Sequence, residues 1–211
     1  GEGISCEFCH KIANVIVDPN TKMPFANMPG ILSLELLRPR EAAQQVFFGT
    51  LTDVTRPDSY LPLLSESKFC AGCHFGVFGG VVGMNDVKDG VVIYNSYGEW
   101  LTSPYSDPKT GKTCQQCHMP TSTEKWFVLA EKGGLVRNDA ELHNHTMPGA
   151  LDEKLLQNSV TMKTDAQRVN NTIKVEVSIT NDQAGHDVPT DVPIRSMILV
   201  VEALDANGKP L

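Results

Sequence analysis

Cys6-Glu7-Phe8-Cys9-His10, Cys70-Ala71-Gly72-Cys73-His74 and Cys114-Gln115-Gln116-Cys117-His118 spell one pattern three times, Cys-x-x-Cys-His. These three stretches use all six cysteines of the 211-residue chain and three of its six histidines. Two thiols at this gap, followed at once by an imidazole, form the attachment pattern of haem c. The thiols add across the porphyrin vinyl groups, and the adjacent imidazole binds the iron from the proximal side. Three covalently bound haem c groups are therefore expected. Cys6, Cys9, Cys70, Cys73, Cys114 and Cys117 would be the thioether anchors, and His10, His74 and His118 the proximal ligands.

Other uses of cysteine pairs fit less well. Six thiolates divide awkwardly into four-thiolate zinc sites, and zinc does not require a histidine directly after every second cysteine. A thioredoxin-type pair would occur once, beside a βαβ pattern, and none is visible. Structural disulfides give no reason for the same gap three times over.

Six-coordinate haem iron needs a second axial ligand, usually His or Met. Outside the motifs only His143, His145 and His186 remain, three imidazoles for three irons. The matched count points to bis-His coordination with these as distal ligands. His143 and His145 are two residues apart, so on extended backbone they project to the same side, about 6–7 Å apart at the α-carbon. His186 lies in Gly185-His186-Asp187-Val188-Pro189-Thr190, a stiff loop in which Asp187 could orient the ring. Met119 and Met147 lie nearest these segments, with core filling as their ordinary role. Phe69, Tyr97, Trp100, Tyr105 and Trp126 flank the second and third motifs and are expected to wall the porphyrins.

Composition sets the surroundings. The hydrophobic content of 41% and aromatic content of 7% are lean for a core of this size, and each macrocycle would add a large apolar plate. Eighteen basic against 25 acidic residues give a net charge of −7. That balance argues against nucleic acid as a partner and favours a basic redox partner. No apolar run reaches the length of a membrane span. The sequence reads as a mature form, with any signal removed before the first motif, and haem c maturation outside the cytoplasmic membrane implies a periplasmic, cell-surface or extracellular location.

Regular structure is expected to be sparse from residue 1 to about 150, where Pro- and Gly-bearing turns separate the motifs. Short helices are expected within each motif, over 96–102 and within 150–158. A longer helix is expected from Pro39 through Phe48, with Pro39 at its first position and Gly49 as its stop. After about residue 165 the character changes. Thr172-Ile173-Lys174-Val175-Glu176-Val177-Ser178-Ile179-Thr180 alternates apolar and polar residues, the period of a half-buried strand. Ile194–Leu204 reads as its partner, and Ala206-Asn207-Gly208-Lys209 as a hairpin turn. The fold class expected is a mostly irregular and α haem-packed domain over 1–164, followed by a small antiparallel β region over 165–211 that supplies a distal ligand.

In combination, the segments Gly3–Ile12, Ser67–His74, Tyr97–Tyr105, Gly111–Pro120, His145–Ala150 and Asn181–Thr190 resemble the motif set of a group of multihaem c-type cytochromes. The resemblance implies a haem-packed domain joined to a β-rich one, with His145 and His186 as distal ligands. It also implies electron transfer outside the cytoplasm, and some cytochromes of similar make-up polymerise into filaments with haems stacked between subunits. The β region departs from the group by stopping after two strands. The rival reading is a multihaem oxidoreductase of the nitrite or hydroxylamine type. It would need one iron with a substrate-accessible position, whereas here ligands and irons are equal in number.

Overall fold

The computed structural model describes residues 4–78 and 90–210. Each Cys-x-x-Cys-His motif lies in or against a single helical turn: α1 (Cys6–Cys9), α2 (Lys68–Ala71) and α4 (Cys114–His118), while α3 (Ser96–Thr102) and α5 (Glu153–Gln157) fall where helices are expected. Thr113 and Gln116 close α4 with a reciprocal capping box, Gln116 N–H donating to the Thr113 hydroxyl and Thr113 N–H to Gln116 Oε1, which satisfies orphan donors of a turn too short to hold itself. Asp152 caps α5 by accepting from Leu155 N–H. No helix among the described residues is long and apolar enough to cross a membrane.

Three antiparallel strand pairs complete the regular structure: β1 (Ile12–Val15) with β2 (Leu34–Leu36), β3 (Gly76–Phe78) with β4 (Val91–Tyr94), and β5 (Thr161–Val169) with β6 (Thr172–Thr180). The first two pairs lie within the region expected to be irregular. β6 matches its alternating pattern, but its partner is β5, immediately upstream, with Met162 opposite Ile179 and Val169 opposite Thr172. Asn170 turns the hairpin at φ 57°, a conformation Asn tolerates. The expected strand over 194–204 is not formed. Apart from a single antiparallel bridge between Leu204 and Pro210, its residues stay unpaired and largely exposed, Ile194 at 88% and Ile198 at 82%, because β5 already occupies the register that this run was expected to fill. Beyond it the turn at 206–209 is present, with Asp205 and Lys209 bonded across it and Gly208 at φ 77°.

The helix expected over 39–48 is reduced to one 3₁₀ turn at Ala42–Gln44. The reason is tertiary. Phe48 N–H donates to the His10 carbonyl, and the His10 ring nitrogen Nδ1 stands 2.5 Å from the Phe48 carbonyl. Lys11, 1% exposed, donates from Nζ to the Val46 carbonyl and to Gln45 Oε1, both at 2.6 Å, and lies 4.6 Å over the Phe47 ring. An extended 45–48 run meets all of these demands and a helix meets none, so context overrides propensity.

A buried ammonium with two acceptors is expensive to break. Lys11→Met is expected to leave Gln45 Oε1 and the Val46 carbonyl without their donor and to lower stability by about 2–4 kcal/mol. Denaturant unfolding, followed by far-ultraviolet circular dichroism against the unsubstituted protein, measures this loss.

The buried apolar cluster is small: Ile12, Val15, Leu63, Ala71 and Tyr97, with Phe8, Leu34, Phe69, Trp100 and Leu101 packed around it. It lies where β1, α2 and α3 meet, and so fixes the second motif against the first. α4 joins the same block through Gln115, whose side-chain amide donates to the Leu64 and Glu66 carbonyls.

Candidate haem-binding sites

The motif histidines follow their helical turns, and each has an oxygen near Nδ1, hydrogen-bonded for His10 and His118 and in charge contact for His74. For His10 the acceptor is the Phe48 carbonyl, and for His118 it is the Pro148 carbonyl at 2.7 Å. For His74 the nearest partner is the Asp191 carboxylate, 3.3 Å away. A ring whose Nδ1–H is held in this way presents Nε2 as a lone pair, the tautomer an iron ligand needs.

Two of the three spare histidines face two of these rings. His145 stands opposite His10 with ring centroids 6.2 Å apart and planes tilted by 41°. His186 stands opposite His118 at 6.0 Å with planes only 18° from parallel. A metal–nitrogen bond of about 2 Å, plus about 1 Å from nitrogen to ring centre, counted from both sides, gives about 6 Å for two imidazoles sharing one metal. The spacing therefore fits an iron between each pair. The remaining two histidines are not brought into such a pair. His143 has its Nδ1 2.7 Å from the Met119 carbonyl, so Met119 engages it through the main chain.

The thiols of different motifs lie close together. The Cys70 and Cys114 thiols act on each other, Cys114 being lowered to about 7 and Cys70 pushed well up. The charge of Cys9 raises both Cys70 and Cys73. Burial beside these thiols pushes the Tyr97 phenol up to about 12. The six cysteines form no disulfide, and among the described residues no cluster of three or more His, Cys, Asp or Glu side chains could hold a metal ion directly. A tetrapyrrole brings four nitrogens of its own and asks the protein only for axial ligands and anchors.

Two short segments each serve two sites. His145 faces His10 while Pro148, three residues on, supplies the carbonyl that holds His118. In the second segment, His186 faces His118 while Asp191 meets His74. This loop is clamped to α3. Glu99 Oε2 accepts from Asp187 N–H at 3.0 Å and from the Thr190 hydroxyl at 2.5 Å, and Ser96 bonds Thr190. Gly185 passes so close to Trp100 and Tyr105 that a Cβ would sit 3.2 Å from both. Asp187 orients the His186 ring, but through its main-chain carbonyl at 2.9 Å instead of its carboxylate.

Of the expected porphyrin walls, Tyr97 and Trp100 are stacked on each other at 5.9 Å, with Phe69 packed against the same cluster. Trp126 lies elsewhere and is 38% exposed.

No family model matches the chain, and no curated protein does. Among solved structures, the fold is similar to that of a penta-heme cytochrome c552 from Thermochromatium tepidum, with a TM-score of 0.62 and 20% sequence identity. The match covers 100% of this chain and 51% of that one, so the chain spans about half the length of that cytochrome. The chain thus shares its fold with a multihaem c-type cytochrome, and at this identity the likeness is one of fold.

Proposed function

We propose that this chain holds three haem c groups and relays single electrons between protein redox partners outside the cytoplasm. The observation that carries the reading is the pair of facing imidazoles, His10 with His145 and His118 with His186, each at the separation a shared iron requires. Cys6/Cys9, Cys70/Cys73 and Cys114/Cys117 are the anchors, and His10, His74 and His118 the proximal ligands. His145 and His186 are distal ligands. His143 joins them by count, and its Nδ1 contact leaves Nε2 as the binding atom.

Bound haem supplies a reversible one-electron couple. The chain's own part is to hold the ligands, keep the motifs close and exclude water. The Cys114 amide donates to the Ser67 hydroxyl at 3.0 Å, which supports close spacing of the second and third sites, and the influence of Cys9 on both cysteines of the second motif supports the same for the first. A homo-oligomer or filament, with haems stacked between subunits, extends this reading; negative-stain electron microscopy of the purified protein tests it.

Intact-mass measurement tests the core of the proposal. The chain is expected to carry the added mass of three porphyrins retained after denaturation, and low-temperature paramagnetic resonance of the oxidised form is expected to show bis-imidazole signals. A bare polypeptide mass would overturn the reading.

One feature favours a second reading, an oxidoreductase with a substrate-accessible haem. His74 is half exposed, and among the described residues it meets a carboxylate and no facing imidazole. Carbon monoxide added to the reduced protein separates the two. Saturated irons leave the Soret band unmoved, whereas one open iron shifts about a third of it.

A further inference from the structure

The three motif histidines are not anchored alike. His10 and His118 meet neutral main-chain carbonyls, whereas Nδ1 of His74 lies 3.3 Å from Oδ2 of Asp191. The carboxylate is not a passing surface group. Its side chain is 21% exposed, and its backbone sits at φ 71°, a left-handed conformation that few non-glycine residues adopt. Such a conformation persists only where surrounding structure imposes it. Here Glu99 and Ser96 of α3 grip Thr190, the residue immediately before it, and Arg195 donates to the Thr190 carbonyl. The far side of the same fastening is α3 itself, whose Tyr97 N–H donates to the His74 carbonyl. His74 and Asp191 are therefore referenced to one helix.

We propose that Asp191 is a positioning residue that holds the redox potential of the second site below the value its axial ligands alone would set. A carboxylate facing the Nδ1–H draws the proton toward itself and makes Nε2 a stronger donor than a carbonyl partner can. A stronger donor favours ferric over ferrous iron. The inference rests on haem attachment at Cys70 and Cys73. It makes the three sites unequal by design, with the second the hardest to reduce relative to its own ligand set.

Asp191→Asn tests this. Asn accepts left-handed backbone at least as readily as Asp, so the loop is retained while the charge is lost. Spectroelectrochemical titration of the holoprotein, followed by paramagnetic resonance to resolve the individual ferric signals, is expected to show one midpoint potential moved upward and two unmoved. Asp191→Glu, which keeps a carboxylate, is expected to restore much of the low value. Three unmoved potentials in Asp191→Asn, or three that move together, would overturn the assignment. Peptide mapping of the unsubstituted protein separates the underlying reading: a peptide containing Cys70 and Cys73 without porphyrin overturns both claims, whereas porphyrin present with unmoved potentials overturns this one alone.

Discussion

His186→Ala is expected to turn one haem in three from six-coordinate low-spin to five-coordinate high-spin while leaving all three covalently attached. The imidazole of His186 stands 6.0 Å from that of His118 and nearly parallel to it, and alanine offers no donor atom in its place. A high-spin ferric signal should appear in paramagnetic resonance, and about a third of the reduced Soret absorbance should shift under carbon monoxide. The His118 side should be little disturbed, because its Nδ1 is held by Pro148 on a separate segment. His145→Ala is the matching experiment on the first site. A His186→Ala protein with an unaltered spin state would show that this residue is not a ligand.

Glu99→Ala should be nearly as damaging, although Glu99 is neither an anchor nor an axial ligand. Its Oε2 receives both the Asp187 amide and the Thr190 hydroxyl, and hydrogen bonds to a charged acceptor contribute about 1.5–3 kcal/mol each. Their loss frees the loop that carries His186 and Asp191 together. The expected outcome is simultaneous broadening of the second- and third-site ferric signals, with an unchanged first-site signal, because among the described residues Glu99 makes no bond to the segments that carry His10 and His145. Glu99→Gln keeps an oxygen acceptor and should give a weaker version of the same pattern. Equal broadening at all three sites would instead indicate general loosening of the fold.

What was legible in the sequence follows from how local each signal is. The three Cys-x-x-Cys-His runs, their helical turns and the alternation of β6 are set within a few residues, and each could be read directly. So could the special character of the His145 and His186 segments, through the unusual neighbours of each histidine. Which histidine faces which motif was not legible, because that depends on contacts such as Pro148 with His118 and Phe48 with His10, across 30 and 38 residues. The helix expected over 39–48 failed for the same reason: Lys11 and His10 draw that run into extended form. β5 carries little signal because one of its alternating sets, Met162, Thr164, Ala166 and Arg168, holds one strong hydrophobe, and all four are exposed. Asp191 carried no motif signal at all. Its importance arises only when the loop brings it to His74.

The four residues from His145 to Pro148 bear on two neighbouring centres at once, as a ring facing one and a carbonyl steadying the other. On the proposed reading, such a bridge limits how far the first and third centres can move apart, because the reach of so short a backbone segment bounds the gap between them whatever the surrounding side chains do.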